Sequence, residues 1–301
     1  MTPAILFCED PLQKNKVDTD FAAEHIAAKE NGFETLMFSY DDLVSDDSMH
    51  LATRRIGKAN ALTNVVYRGW MLTLAQYAAL HNDLLSKNYR LINSPAEYRN
   101  CHYLPDSLQF IDQRTPRTVF EKLDNDKSIE RLIDKATVFG SKPVMIKDYV
   151  KSEKHNWEDA CFVADASDTK RLRQSINNLV WLRDKYLNEG IVIREFMELK
   201  NLAIHSKSGM PLAEEYRLFF CNKKFVGLYE YWEEGEYKTD KPGTQEFEEI
   251  AAGVASNFFS MDIARTREGE FIIIELGDGQ VSGLPDALNG NEFYAALKKC
   301  L

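Results

Sequence analysis

The 301-residue chain is 44% apolar and 28% charged, and its 47 acidic against 37 basic residues leave a formal net charge of −10. That surplus disfavours non-specific binding to nucleic acid or acidic membrane, and no run approaches the roughly 20 apolar residues of a membrane span. Five scattered cysteines without a C-x-x-C pair indicate neither a disulfide framework nor a zinc site, and the first residues lack a signal-peptide pattern, so a reduced cytoplasmic protein of two or three subdomains is expected.

Residues 4–8 predict a short buried strand, 20–29 an amphipathic helix packed through Phe21, Ala22, His25 and Ile26, and 33–38 the next strand. This alternation predicts a small parallel α/β unit with its ligand side at the carboxyl ends of the strands, where Glu9 and Asp10 sit. Residues 64–67 form a further strand running into Arg68-Gly69-Trp70, with a helix from Leu72 to about Ser86. A guanidinium at a strand end can present its fork to a carboxylate or phosphate; a surface arginine on a loop is the plain alternative. Residues 89–93 add a strand, and Ser94-Pro95 supplies a cap and first-turn proline for a helix bearing Tyr98, Arg99 and His102.

Residues 143–147 predict a strand ending in Lys147, followed by a charged connection holding Lys151, Lys154, His155 and Trp157. Asp168 caps a long helix with Leu172, Ile176, Leu179, Val180 and Tyr186 at helical spacing, and residues 191–198 form a buried strand interrupted by Arg194, Glu195 and Glu198. Residues 214–220 and 224–232 alternate as a hairpin turning at Asn222-Lys223, with Glu215, Arg217 and Phe219 on one face. After a helix over 246–258, residues 261–265 form a short strand bearing Asp262, Glu268-Gly269 a tight turn, and 271–274 a β-branched run that delivers Glu275, with Asp278 close behind. A two-residue turn sets Asp262 directly across from Glu275, Cβ atoms about 5 Å apart. Opposed carboxylates repel unless a cation lies between them, and Mg²⁺, which takes oxygen ligands and shares them with phosphates, meets that need. A charged hairpin facing water is the alternative.

The order of these features resembles the ATP-grasp superfamily. Its C-terminal metal-binding hairpin has Asp on one strand, Glu ending an apolar strand, and a polar ligand before a glycine-rich loop. Asp262, Glu275 and Asp278 among Gly277, Gly279 and Gly283 are similar to it, with Asp278 replacing the Asn that members carry where this chain has Gly277. Asn93-Ser94-Pro95 and Pro116-Arg117-Thr118 resemble the family's strand-end Asn-Ser/Thr-Pro and Pro-x-Thr elements. The resemblance implies an α/β (α+β) ATP-grasp fold: an N-terminal small parallel α/β pre-ATP-grasp domain over 1–95, a central subdomain with a phosphate-covering loop over 96–195, and a C-terminal subdomain with the metal hairpin over 196–301. It implies ATP and Mg²⁺ as cofactors, with Lys147 and Lys154 on the phosphates, the backbone around Glu195 to Met197 on adenine, and Glu195 or Glu198 on ribose. Arg217 is then expected to steady transferred phosphate and Arg68 to anchor a substrate carboxylate. The implied activity is a ligase that activates the carboxylate of a small-molecule or peptide substrate as an acyl phosphate for capture by an amine, with no membrane partner and a homodimer as the family's common assembly. A kinase of the same fold, an ATP-binding module weakened at Gly277 and in a loop without its usual glycines, and a ligase for a macromolecule such as RNA are the alternatives.

Overall fold

A computed structural model describes residues 3–45, 48–207, 209–237, 240–285 and 290–301. Strands β1 (Ala4–Cys8), β2 (Glu34–Phe38), β3 (Thr63–Arg68) and β4 (Tyr89–Leu91) form a parallel sheet in the order β2-β1-β3-β4. Period two divides β1 between two cores: Ala4, Leu6 and Cys8 face helix α3 (Leu74–Ser86), and Ile5 and Phe7 face helix α1 (Ala22–Glu30). α1 buries Glu24, Ala27 and Ala28, not the expected His25 and Ile26, and Ile26 is 57% exposed. The face is rotated because the buried Arg68 draws Glu24 inward. The short helix α2 (Tyr40–Val44) follows β2, and α3 starts two residues later than expected, where Thr73 and Gln76 make a reciprocal capping box. Ser94 and Glu97 make another at the start of α4 (Pro95–His102), and α5 (Leu104–Ile111) follows.

The second sheet is antiparallel, in the order β5-β8-β6-β7, from β5 (Thr118–Lys122), β6 (Val144–Asp148), β7 (Phe162–Val163) and β8 (Gly190–Glu195). Val144, Ile146, Ile191 and Ile193 pack under helices α6 (Ser128–Ala136) and α7 (Thr169–Arg183). Alternation therefore turns Lys147 and Arg194 to the opposite face. α7 stops at Arg183, so Tyr186 lies outside its stripe and is 67% exposed.

After a small hairpin, β9 (Asn201–Ile204) and β10 (Pro211–Ala213), the third sheet runs β12-β11-β13-β14, all antiparallel. Its strands are β11 (Glu215–Cys221), β12 (Lys224–Glu230), β13 (Phe258–Arg265) and β14 (Phe271–Asp278). Asn222 and Lys223 both take positive φ in the expected turn. Helix α8 (Gln245–Gly253) ends early, and Phe258 opens β13 where a helical residue was expected. Tyr216, Leu218, Phe220, Met261 and Ile263 back onto α8 and α5. Helix α9 (Gly290–Cys300) returns to pack through Phe293, Tyr294 and Leu297 against α1, the first sheet and Phe219, Tyr229 and Phe258 of the third. No helix of the described residues is long and apolar enough to cross a membrane.

The turn that follows β14 is fastened by the first sheet. Arg68, 1% exposed, donates Nε and Nη2 to the two Glu24 oxygens at 2.8 Å each. Its Nη1 donates to the carbonyls of Ser282, at 2.8 Å, and of Gly279. Tyr67 N donates to Gln280 Oε1, and Gly69 N to the Gln280 carbonyl. Asn93, fully buried, donates to the Phe258 carbonyl at 2.7 Å and to Asp278 Oδ2 at 2.6 Å, while its Oδ1 accepts from the amides of Asn257 and Phe258. Removing one partner of such a buried ion pair leaves the other charge uncompensated, at a cost of about 3–5 kcal/mol. Arg68→Met is accordingly expected to lower the unfolding free energy by about that amount in urea denaturation; a loss below about 1 kcal/mol would show that the clamp does not hold the turn.

Candidate functional site

Backbone register builds the centre of the site. Arg217 pairs with Asp262 across β11 and β13, and Asp262 with Glu275 across β13 and β14, so the three side chains stand in a row on one face. The connecting turn is longer than the expected two residues, spanning 266–270, but a bulge between Asp262 and Ile263 restores the expected opposition. Arg217 donates Nε and Nη2 to Asp262 Oδ1 and Oδ2 at 2.8 and 2.7 Å, and Nη1 to the Gly283 carbonyl at 2.9 Å. Three of its five N–H groups are thus used, and its guanidinium lies 4.8 Å from the Tyr231 ring centre.

The second sheet closes on this row with cations. Lys147 Nζ lies 2.8 Å from Glu275 Oε2. Arg194 reaches from β8 to the Ile274 carbonyl at 2.7 Å and to the hydroxyls of Thr115 and Thr118. Burial opposes the charge of Glu275, but Lys147, Lys154 and Arg194 hold its carboxyl down at about 2. Burial and the nearby Asp262 and Glu275 push the Glu215 carboxyl up to about 7, against the pull of Lys154. Glu215 shares the face of Arg217, and its carboxyl has no hydrogen-bond partner among the described residues. Sequence reading placed it on that face and gave it no role; its two-residue spacing from Arg217 was the available signal.

The other expected residues fall in different places. Asp278 is not brought to the row: three residues beyond Glu275, an odd step, it faces the other side of the sheet. There it is fully buried, bonded by Asn93 and by the Gln280 backbone and side chain, with burial pushing its carboxyl up to about 7. Arg68 has four of its five donor hydrogens committed internally and offers no fork to a substrate carboxylate. Both expectations are at odds with that geometry: Asp278 lies away from the Asp262 and Glu275 pair, and the Arg68 fork is turned inward onto Glu24 and the turn after β14. His102 is stacked on Tyr98, ring centres 4.8 Å apart, and burial and Lys151 lower its imidazole to about 4.

Glu195 pairs with Lys142 at 2.6 Å, and Glu198 with Arg267 at 2.5 Å on the surface. The Met197 amide between them donates to no acceptor among the described residues. Trp157 stacks on Phe162 and meets Phe196 edge-on, which fastens the Lys154-bearing segment to the strand end beside Met197.

Among the described residues no group of three or more His, Cys, Asp or Glu side chains is placed to hold a metal ion alone. Asp262 and Glu275 nevertheless fit Mg²⁺, which is commonly bound by one or two carboxylates with substrate phosphates completing its shell. Gly277, on the same face, lies against a hydroxyl pair: a Cβ there would meet Ser282 Oγ at 2.6 Å and Ser260 Oγ at 2.7 Å. Space for a longer side chain at 277 is taken by those oxygens, themselves 2.7 Å apart. Beside the row, a cleft of about 610 Å³ opens between the carboxyl ends of β1 and β3 and the turn after β14, with Lys151 and Gly283 among its walls.

Solved structures share the whole architecture. A RimK domain ATP-grasp protein from Sphaerobacter thermophilus superposes with a TM-score of 0.59 at 12% identity, covering 98% of both chains. The D-cycloserine synthetase DcsG gives 0.56 at 13% identity, covering 98% of this chain and 99% of its own. The D-alanyl-alanine synthetase A of Vibrio cholerae gives 0.54 at 12%, covering 100% and 98%. At these identities the likeness shows the fold alone. No curated protein matches by sequence. The model of an ATP-grasp domain family, family 3 of its clade, matches residues 138–297, which is more than half of the chain and includes Lys147, Arg217, Asp262 and Glu275. The protein belongs to that family of ATP-grasp domains.

Proposed function

We propose that the protein is an ATP- and Mg²⁺-dependent ligase that activates a substrate carboxylate as an acyl phosphate and transfers the acyl group to an amine. The observation that carries this reading is the row Arg217, Asp262, Glu275 and Lys147, in which two adjacent carboxylates stand between two cations across two facing sheets. Asp262 and Glu275 would hold Mg²⁺, which supplies charge neutralisation at the phosphates. The free Met197 amide at the hinge would meet the adenine edge, and Glu215, whose carboxyl is unpartnered, is better suited than the ion-paired Glu195 and Glu198 to accept ribose hydroxyls. Lys147 and Lys154 would offset phosphate charge, Lys147 by releasing Glu275. Arg217 keeps Asp262 oriented and has two N–H groups left for a transferring phosphoryl oxygen.

In the first step a carboxylate oxygen bonds to the γ-phosphorus and the bond to ADP breaks. In the second an amine nitrogen attacks the acyl carbon, inorganic phosphate leaves, and the nitrogen gives up a proton. Neither step requires an enzyme nucleophile; charge compensation and alignment suffice. The family membership supports the nucleotide half of this reading, and the V. cholerae D-alanyl-alanine synthetase and the PsnB ligase, described in complex with a minimal precursor, Mg and ADP, are ATP-grasp proteins of like fold.

Titration calorimetry of ATP with and without Mg²⁺ tests the nucleotide site. Magnesium-dependent binding is expected, weakened about tenfold, or about 1.4 kcal/mol, in Lys147→Ala; absence of binding to the wild type overturns the reading. Arg217→Lys keeps the charge and loses the fork. ADP release in the presence of a carboxylate and an amine is expected to fall about a hundredfold in this variant, with ATP affinity changed far less. ADP release that needs only one acceptor would identify a kinase instead.

A further inference from the structure

The 610 Å³ cleft has a charge pattern of its own. Its volume is that of a small-molecule or short-peptide site. Lys151 and Gly283 form the end nearest the row: Lys151 acts electrostatically on Glu275 and Lys147, and Gly283 is bonded by Arg217. Asp18, Asp41, Phe21 and Trp70 belong to the other end, since Asp18 and Asp41 both act on Cys8 at the carboxyl end of β1. The other ionised groups in the walls are already matched, Arg68 by Glu24 and Glu9 by Arg55. Asp41 is exposed at the rim and has no ion-pair or side-chain hydrogen-bond partner among the described residues. Asp18 Oδ2 accepts from Trp70 Nε1 at 2.9 Å, and the Trp70 indole, 40% exposed, is braced edge-on by Phe21 at 5.3 Å.

We propose that the cleft holds a substrate bearing a cationic group, an ammonium or guanidinium, which sits among Asp18, Asp41 and the Trp70 ring while the reacting end lies toward Lys151 and Gly283. Two carboxylates without a cationic partner beside an aromatic face are the chemistry that selects a cation with an apolar stem. An anionic tail is repelled at that end and would be drawn to Lys151 instead. The assignment rests on the ligase reading for its reacting end, while the cationic selectivity is a property of the cleft itself.

The test is titration of the dipeptides Ala-Lys and Ala-Glu, both N-acetylated so that the lysine ammonium is the one cationic group, into the full chain, with and without the non-hydrolysable analogue AMPPNP and Mg²⁺. Ala-Lys is expected to bind at least tenfold more tightly than Ala-Glu. Asp41→Lys is expected to abolish or reverse that preference, and Asp18→Asn to reduce it severalfold, with thermal unfolding confirming that each variant is folded. Equal binding of the two peptides, tighter binding of Ala-Glu, binding of neither, or a preference unchanged in folded Asp41→Lys overturns the proposal. If AMPPNP fails to bind, the ligase reading falls, and the peptide preference measured without nucleotide still decides the selectivity of the cleft.

Discussion

The alternation of side chains along β13 and β14 is the constraint from which the site follows. Because successive residues of a strand face opposite ways, pairing Asp262 with Glu275 fixes the surroundings of every neighbour. Ser260 and Gly277 must share the face of the carboxylates. Met261 and Leu276 must enter the core under α8, and Asp278 must lie on the buried side. A slip of one residue in this hairpin would bury the carboxylate pair and expose the core. The large apolar set on the back face is therefore what keeps the charged row in register, so core packing and site geometry are set by the same pairing.

The site also depends on a unit that contributes few groups to the row itself. β3 ends at Arg68 and β4 leads into Asn93, and both side chains grip backbone that follows or precedes the hairpin strands. Through Arg68 the parallel sheet fixes the turn whose Gly283 carbonyl in turn receives Arg217. Fully satisfied buried networks of this kind are rigid, because any displacement leaves a charge or amide unpaired in a medium of low dielectric. The strand-end position that made Arg68 look like a ligand anchor is the same position that makes it a clamp, and burial decides between the two roles.

Much of this was legible in the sequence. The apolar run ending in Glu275, the strand-end Lys147 and the two-residue spacing of Glu215 and Arg217 each follow from local periodicity, and the structure brings Lys147, Arg217, Asp262 and Glu275 together. The burial of Glu24 and the strand start at Phe258 needed long-range information, whereas the placement of Asp278 did not. Asp278 was assigned by proximity in sequence to Glu275, although strand parity already argued against it. Glu24 reads as a solvent-facing helix residue until Arg68, 44 positions away, is known to be buried against it. Phe258 continues a helical stripe, yet it opens a strand because Asn93 captures its amide and carbonyl. Helix or strand propensity yields wherever a fully buried side chain dictates the hydrogen bonding of the main chain.

Although the chain carries a net charge of −10, Lys147, Lys154, Arg194 and Arg217 converge on Glu215, Asp262 and Glu275. Without the acids, so many cations facing one another between two sheets would repel and open the site. Without the cations, the acids would repel or take up protons. Each set therefore holds the other in place before any substrate arrives. On the proposed reading, phosphate would replace Glu275 as the partner of Lys147, so that one anion would be exchanged for another at the ammonium and a divalent cation would take up the released carboxylate. The ammonium would face an anion before and after such an exchange, so little reorganisation would be required at the moment of binding, which is the condition under which preset electrostatics serve a reaction best. The hydroxyl pair beside Gly277 fits the same logic: Ser282 donates onward to the Asp278 carbonyl at 2.9 Å, which leaves Ser260 to donate to Ser282. A neutral acceptor at that place adds no negative charge to a row that is already balanced, whereas a third carboxylate would have unbalanced it.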